Sequence, residues 1–198
     1  MPNIDPNLIT IVSGLPRSGT SMMMRMLEAG GVPALIDNIR TADEDNPRGY
    51  YEFEPVKKTK EDPSWLNTAG GKVVKMVYRL LYDLPASHTY WIIFMRRNLD
   101  EVIASQDVML ARRGRGGSDM TKEKLVALFD KQLGDFDEWV RKQPNFKMLY
   151  VSYNETMQDP RPTVRALNEF LGGKLNTAAM EKVIEPQLYR QRRTASEA

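Results

Sequence analysis

The sequence predicts an α/β fold, a central parallel sheet flanked by helices, and three observations carry that expectation. Residues 8–27 read Leu-Ile-Thr-Ile-Val-Ser-Gly-Leu-Pro-Arg-Ser-Gly-Thr-Ser-Met-Met-Met-Arg-Met-Leu, which is an apolar β-branched run, a tight loop from Gly14 to Gly19, and a helix from Ser21 onward. Residues 90–95, Tyr-Trp-Ile-Ile-Phe-Met, are apolar without alternation, the pattern of a central strand buried on both faces. Strand-like and helix-like stretches then alternate towards the C-terminus, which favours parallel strands joined by crossover helices.

Taken in order, the first helix should end at Ala29-Gly30-Gly31, where glycine supports a helix stop. Residues 32–71 form a long polar excursion. Its aromatic cluster, Tyr50, Tyr51, Phe53 and Trp65, argues for a packed, partly helical segment that covers the mouth of a site, because disordered chain is poor in such residues. Residues 73–77 read as a second short strand, followed by a helical turn over 80–84 that Pro85 stops.

After the third strand, Asn98 with Glu101 three residues on resembles a capping box and predicts a helix over Leu99–Arg112. A glycine-rich basic loop at 111–117 precedes a helix that Asp119 would cap. This helix should run to about Arg141 with Leu125, Leu128, Phe129, Leu133 and Phe136 inward. A fourth strand spans 146–151. Asp159-Pro160 opens a helix ending at Gly172-Gly173, and Asn176 opens a last one through Ile184. No internal repeat is visible, and the expectation is one domain over 1–198, with 32–71 as an excursion and 186–198 as a tail.

Composition narrows the chemistry. A chain of 198 residues with 41% apolar and 27% charged residues is long enough for a core, and a net charge of +2 is too small to argue for nucleic acid or a membrane as partner. No apolar run approaches the length of a membrane span and no leader is visible, so a cytoplasmic protein is expected. With no cysteine and one histidine, disulfides and thiol catalysis are excluded, and no metal centre is expected.

The chemistry concentrates at the loop of the first motif. Its backbone N–H groups and the positive end of the following helix converge on one point, suited to a phosphate or another tetrahedral anion. Against the nucleotide-triphosphate pattern G-x-x-x-x-G-K-[ST], Gly14, Gly19 and Ser21 fit, but Thr20 stands at the lysine position and the cation comes earlier, at Arg17. A second cluster begins after the third strand. Ser105 lies seven residues past Asn98, a rotation of about 700° at 100° per residue, so both lie on nearly one helix face and Arg97 can lie back along it. A guanidinium and a hydroxyl near a helix N-terminus suit a dianionic phosphate.

The loop Pro16-Arg17-Ser18-Gly19-Thr20-Ser21 resembles the 5′-phosphosulfate loop, P-[KR]-[ST]-G-T-[TS], of sulfotransferases that use 3′-phosphoadenosine-5′-phosphosulfate (PAPS). Arg97 eight residues ahead of Ser105 is similar to that family's 3′-phosphate motif. Tyr153 through Pro160, followed by Phe170-Leu171-Gly172, looks like its later strand, turn and helix. The resemblance covers 8–172 and is closer to the bacterial and tyrosylprotein type of loop than to the cytosolic type. It implies a three-layer P-loop NTPase-like fold and transfer of a sulfuryl group from PAPS to a hydroxyl or amine, with adenosine 3′,5′-bisphosphate as product and no metal.

The resemblance also implies site residues. Arg17, Ser18, Gly19, Thr20, Ser21, Arg97, Ser105 and Tyr153 would hold the nucleotide, although Tyr153 also reads as a tyrosine closing a core strand. Lys75 matches the lysine that contacts the sulfuryl group, whereas Val77 stands where cytosolic members carry their histidine base. His88, ahead of the third strand, belongs to the far edge of the sheet. If the chain has a base, the resemblance implies a carboxylate: Asp37, nearest the offset at which tyrosylprotein-type and bacterial members carry a glutamate, or Glu52, among aromatics, with Asp43 and Glu44 weaker. Arg112, Arg113 and Arg115, and Arg190, Arg192 and Arg193 nearer the C-terminus, are further cations without an assigned role, the latter three as substitutes for a late basic segment. The run Met22, Met23, Met24 and Met26 reads as core packing. Two other functions fit parts of the pattern: a small P-loop kinase using Mg-ATP, against which Thr20 counts, and a non-catalytic nucleotide-binding relative. The acceptor and the oligomeric state are not legible.

Overall fold

The computed structural model describes residues 8–112, 114 and 120–189. Its centre is a four-stranded parallel sheet in the order β2-β1-β3-β4, formed by β1 (Ile9–Gly14), β2 (Val73–Lys75), β3 (Tyr90–Arg96) and β4 (Phe146–Ser152). The expected fold class, a parallel sheet flanked by helices, is therefore what the chain forms. β1 and β3 are the inner pair, in register from Ile9 against Tyr90 to Gly14 against Met95. Their carboxyl ends meet where the glycine loop leaves β1.

Alternation along β3 explains the layers. Ile92 and Phe94 face one core with Ile11, Val102, Leu133, Phe136 and Val140; Ile93 and Met95 face the other with Val12, Met23, Met24, Met26, Val164 and Leu167. The first core is covered by α2 (Leu99–Arg112) and α3 (Lys122–Val140), the second by α1 (Thr20–Ala29), α5 (Pro160–Phe170) and α6 (Thr177–Glu181). Phe94 stacks on Phe136 with centroids 4.8 Å apart, which clamps α3 to the sheet. Three of the four methionines in the α1 run, Met23, Met24 and Met26, are fully buried, as adaptable packing predicts.

Helix starts follow local chemistry. Asn98 Oδ1 accepts from the N–H groups of Asp100 and Glu101, and Asp159 and Asn176 cap α5 and α6 in the same way. The capping box at Asn98 is not closed reciprocally: the Asn98 N–H donates to Asn154 Oδ1, and the Glu101 carboxylate turns to Arg97. The structure also corrects several expected elements. β2 ends at Lys75 instead of 77, the turn after it is a 3₁₀ segment over Tyr78–Asp83, and α6 stops at Glu181 instead of 184. The chain after β4 is not a turn but a short helix, α4 (Tyr153–Gln158), capped by Ser152. Thr121 caps α3, and Leu128, expected inward, is exposed because the inner face of that helix is set by Leu133, Phe136 and Val140. Asp119, Arg113, Arg115, Arg190, Arg192 and Arg193 lie outside the described residues.

The excursion is packed, as its aromatics predict: Tyr50 and Trp65 are each 5% exposed, and 3₁₀ turns form at Glu54–Lys58 and Ser64–Thr68. Among the described residues no helix is long and apolar enough to cross a membrane.

Candidate active site

The loop between β1 and α1 is shaped by backbone conformations that side chains restrict. Gly14 has φ of 146°, and a Cβ there would come within 2.7 Å of the Met95 carbonyl oxygen. Gly19 has φ of 96°, and a Cβ there would run into the Tyr153 ring, so the glycine is the only residue that lets β4's end close on the loop. Ser18 is buried and donates back to the Leu15 carbonyl at 2.7 Å, tightening the turn. Gly19 also precedes α1, and no side chain caps that helix. Its first N–H groups thus face the loop with the positive helix end behind them.

Cations converge on this junction from three elements. Arg17, a non-glycine residue at φ of 70°, donates from Nε to Ser105 Oγ at 2.9 Å and from Nη2 to the Asp45 carbonyl at 3.2 Å. Burial lowers its pKa, opposed by Asp45 and Tyr50; a guanidinium stays charged regardless. Lys75, the last residue of β2, donates to the Tyr50 carbonyl and reaches Ser21 Oγ at 3.4 Å. Burial pulls the Lys75 ammonium down to about 8, with Glu52 opposing and Arg40 and Lys57 adding to the shift. Arg97, from the β3–α2 junction, donates from Nη1 to the Arg17 carbonyl at 3.0 Å and from Nε to Glu101 at 3.0 Å. Its Cζ lies 4.6 Å from the Tyr153 ring centroid. The expected meeting of Arg97 and Ser105 therefore occurs through Arg17, which binds one by its side chain and the other by its backbone.

The excursion closes the other side. Asn46 Nδ2 donates to Ser21 Oγ at 2.9 Å, and Ser21 Oγ donates to the Tyr50 carbonyl at 3.3 Å. Asp45, only 7% exposed at its side chain, pairs with Arg112 at 2.6 Å and so ties the excursion to α2. The cavity of about 480 Å³, open to solvent, is lined by the loop residues Gly14, Arg17, Gly19, Thr20 and Ser21, by Lys75, Arg97, Ser105 and Tyr153, and by Arg40, Glu52, Phe53, Met76, Val77, Val108 and Met109. Ser18 supports the loop from beneath.

The candidate bases separate. Glu52 lines the cavity, held by Arg40 at 2.7 Å and lying 4.0 Å from Lys57. Asp37 does not line it. Its carboxylate accepts the N–H groups of Ile39 and Glu54, at 3.0 and 2.5 Å, and its role there is to shape the excursion. Asp43 accepts from the Tyr50 hydroxyl and from two backbone N–H groups, and these bonds hold its pKa below the usual range against the opposing effect of burial. The Glu44 side chain is exposed. His88, bonded to Ser87, sits ahead of β3 at the opposite sheet edge. Among the described residues no group of three His, Asp or Glu side chains is placed to hold a metal ion.

Residue type and spacing did not single out Asp45, Asn46, Glu101, Asn154 and Tyr189 as parts of this site, and marked Tyr50 only as an aromatic of the covering segment. Polar residues in a long loop resemble ordinary solvated chain, and Tyr50 acts through its carbonyl, which carries no residue-type signal. Gly19→Ala is expected to cost about 1–3 kcal/mol from backbone strain and overpacking against Tyr153, and to abolish anion binding at the loop. Thermal melting with and without adenosine 3′,5′-bisphosphate checks both effects.

The sequence matches the sulfotransferase domain family over residues 9–194. No curated protein matches it significantly. Among solved structures, the fold is similar to the sulfotransferase domain of the olefin synthase from Synechococcus PCC 7002, with a TM-score of 0.56 at 13% identity, over 98% of this chain and 90% of that one. It is also similar to the mouse sulfotransferase SULT7A1 complexed with PAP, with a TM-score of 0.53 at 18% identity, over 93% of this chain and 64% of that one. These likenesses agree on the α/β architecture, and the family match runs over nearly the whole sequence. The chain belongs to the sulfotransferase family.

Proposed function

We propose that this chain transfers the sulfuryl group of PAPS to a hydroxyl, or an amine, of a small acceptor. The observation that carries the reading is the convergence of Arg17, Lys75, Arg97 and Ser105 on an uncapped α1 N-terminus within one cavity. The donor set suits PAPS: Arg17, Lys75, Arg97 and Ser105 line one cavity, with cations enough for two phosphate ends, and the Gly19 cradle lets the backbone approach one of them. Thr20, Ser21 and the loop N–H groups, supported by Ser18, would hold the 5′-phosphosulfate; Arg97 and Ser105 would hold the 3′-phosphate; and Tyr153 would flank the nucleotide. When bound, the donor supplies an activated sulfuryl group whose bridging S–O bond breaks as the acceptor oxygen forms its own bond to sulfur, the electron pair leaving with the bridging oxygen.

The chain's residues act on the charges this creates. Arg17 and Lys75 stabilise negative charge on the bridging and sulfuryl oxygens, preorganised in a partly dehydrated cavity where they need little rearrangement. Glu52, oriented by Arg40, takes the acceptor's proton, replacing the histidine whose position Val77 occupies. Phe53, Met76, Val77, Val108 and Met109 offer the acceptor an apolar wall.

Glu52→Gln is expected to lower kcat about 10²- to 10⁴-fold, the usual contribution of a general base, with affinity for adenosine 3′,5′-bisphosphate unchanged. The measurement is release of the bisphosphate from PAPS across a panel of phenols and aliphatic alcohols; wild-type turnover by the variant removes Glu52 from this role. Affinity for the bisphosphate also depends on Lys75. The free ammonium titrates near 8, and a bound anion raises that value, so binding takes up protons above about pH 8 and weakens as pH rises through it. Calorimetry in buffers of different ionisation heat should show the uptake in wild type, and its loss in Lys75→Met.

A further inference from the structure

The contacts around Arg97 extend beyond the residues that hold the nucleotide. Glu101, only 4% exposed, shares its carboxylate: Oε2 accepts from Arg97 Nε at 3.0 Å and from Asn154 Nδ2 at 3.1 Å, and Oε1 accepts from the Tyr189 hydroxyl at 2.7 Å. Asn154 Nδ2 donates to the Tyr189 hydroxyl oxygen at 2.6 Å, so that hydroxyl accepts from one neighbour while donating to the other. The Tyr189 ring meets Tyr153 edge-on, with centroids 5.4 Å apart, and the Arg97 guanidinium carbon is 5.6 Å from the Tyr189 ring centroid. The chain reaches this point through the 3₁₀ turn Pro186–Leu188, and Leu188 lines the cavity.

We propose that Tyr189 is a positioning residue for the 3′-phosphate subsite, setting Arg97 through Glu101. This rests on the reading of Arg97 and Ser105 as the groups that hold that phosphate. A buried carboxylate needs its hydrogen-bond donors. With Tyr189 and Asn154 donating, Glu101 is satisfied without drawing the guanidinium wholly to itself, and Arg97 is fixed before the ligand arrives. Fixing a long side chain in advance removes part of the entropy loss of binding. Without the Tyr189 hydroxyl the Glu101 carboxylate loses a donor, holds Arg97 more tightly through their existing bond, and competes with the phosphate for it.

The test compares adenosine 3′,5′-bisphosphate with adenosine 5′-monophosphate, which lacks the 3′ group, by calorimetric titration. Tyr189→Phe keeps the ring and removes the hydroxyl. It is expected to weaken the bisphosphate about tenfold, the scale of one hydrogen bond to a charged group, and to leave the monophosphate unchanged, with ligand-free melting confirming that the variant folds. Glu101→Gln should lose the same preference. Equal weakening of both ligands, or of neither, overturns the proposal, because a merely structural tyrosine would not change their ratio. A wild-type protein that binds both nucleotides equally overturns the reading of Arg97 as the 3′-phosphate group, and this inference with it.

Discussion

The Arg17 guanidinium joins three segments far apart in sequence. Its Nε bonds Ser105 on α2, its Nη2 bonds the Asp45 carbonyl in the excursion, and its own backbone carbonyl receives Arg97. A non-glycine residue at φ of 70° is held there only when its surroundings over-determine it. These bonds are such surroundings, and they hold Ser105, Asp45 and Arg97 around one residue of the cavity wall. The Tyr153 ring on Gly19 and the Met95 carbonyl beside Gly14 then fix the loop's path against β3 and the end of β4.

Electrostatics gives this arrangement its purpose. The chain as a whole carries a net charge of only +2, yet Arg17, Lys75, Arg97, Arg40 and Arg112 line one cavity, answered by Asp45 and Glu52. Burial lowers the pKa of both Arg17 and Lys75, a sign that removing them from water is costly. The carbonyls of Asp45 and Tyr50 offset part of that cost through direct hydrogen bonds. An anion of the right shape offsets more, because it brings formal negative charge where the carbonyls bring only a dipole. The excursion thus lines the cavity as well as covering it.

The sequence carried the parts of this structure that rest on residue type and spacing. The glycine loop, the apolar run of β3, the asparagine and aspartate caps and the Arg97 to Ser105 interval each have a chemical reason to be where they are, and the fold class followed from the first two together with the alternation of strands and helices. Lengths of short elements were less legible, since β2 ends at Lys75 although Met76 and Val77 are as strand-like as the residues before them. Leu128 misled because helical periodicity marks a face without saying how much of it a neighbour covers. The choice between Asp37 and Glu52 needed three dimensions: both are acids in the same excursion, and only the fold shows one tied to backbone N–H groups and the other facing the cavity. The network of Glu101, Asn154 and Tyr189 left no pattern, because its members come from three distant stretches.

Calorimetric titration of the wild-type protein with adenosine 3′,5′-bisphosphate, beside Mg-ATP under the same conditions, tests the central claim most directly. The proposed placement of Arg17 and Lys75 at the 5′ end and of Arg97 with Ser105 at the 3′-phosphate, with Thr20 where a triphosphate loop has lysine, predicts tight binding of the bisphosphate and far weaker binding of Mg-ATP. Tight binding of Mg-ATP with none of the bisphosphate would contradict the account and make the loop a kinase's.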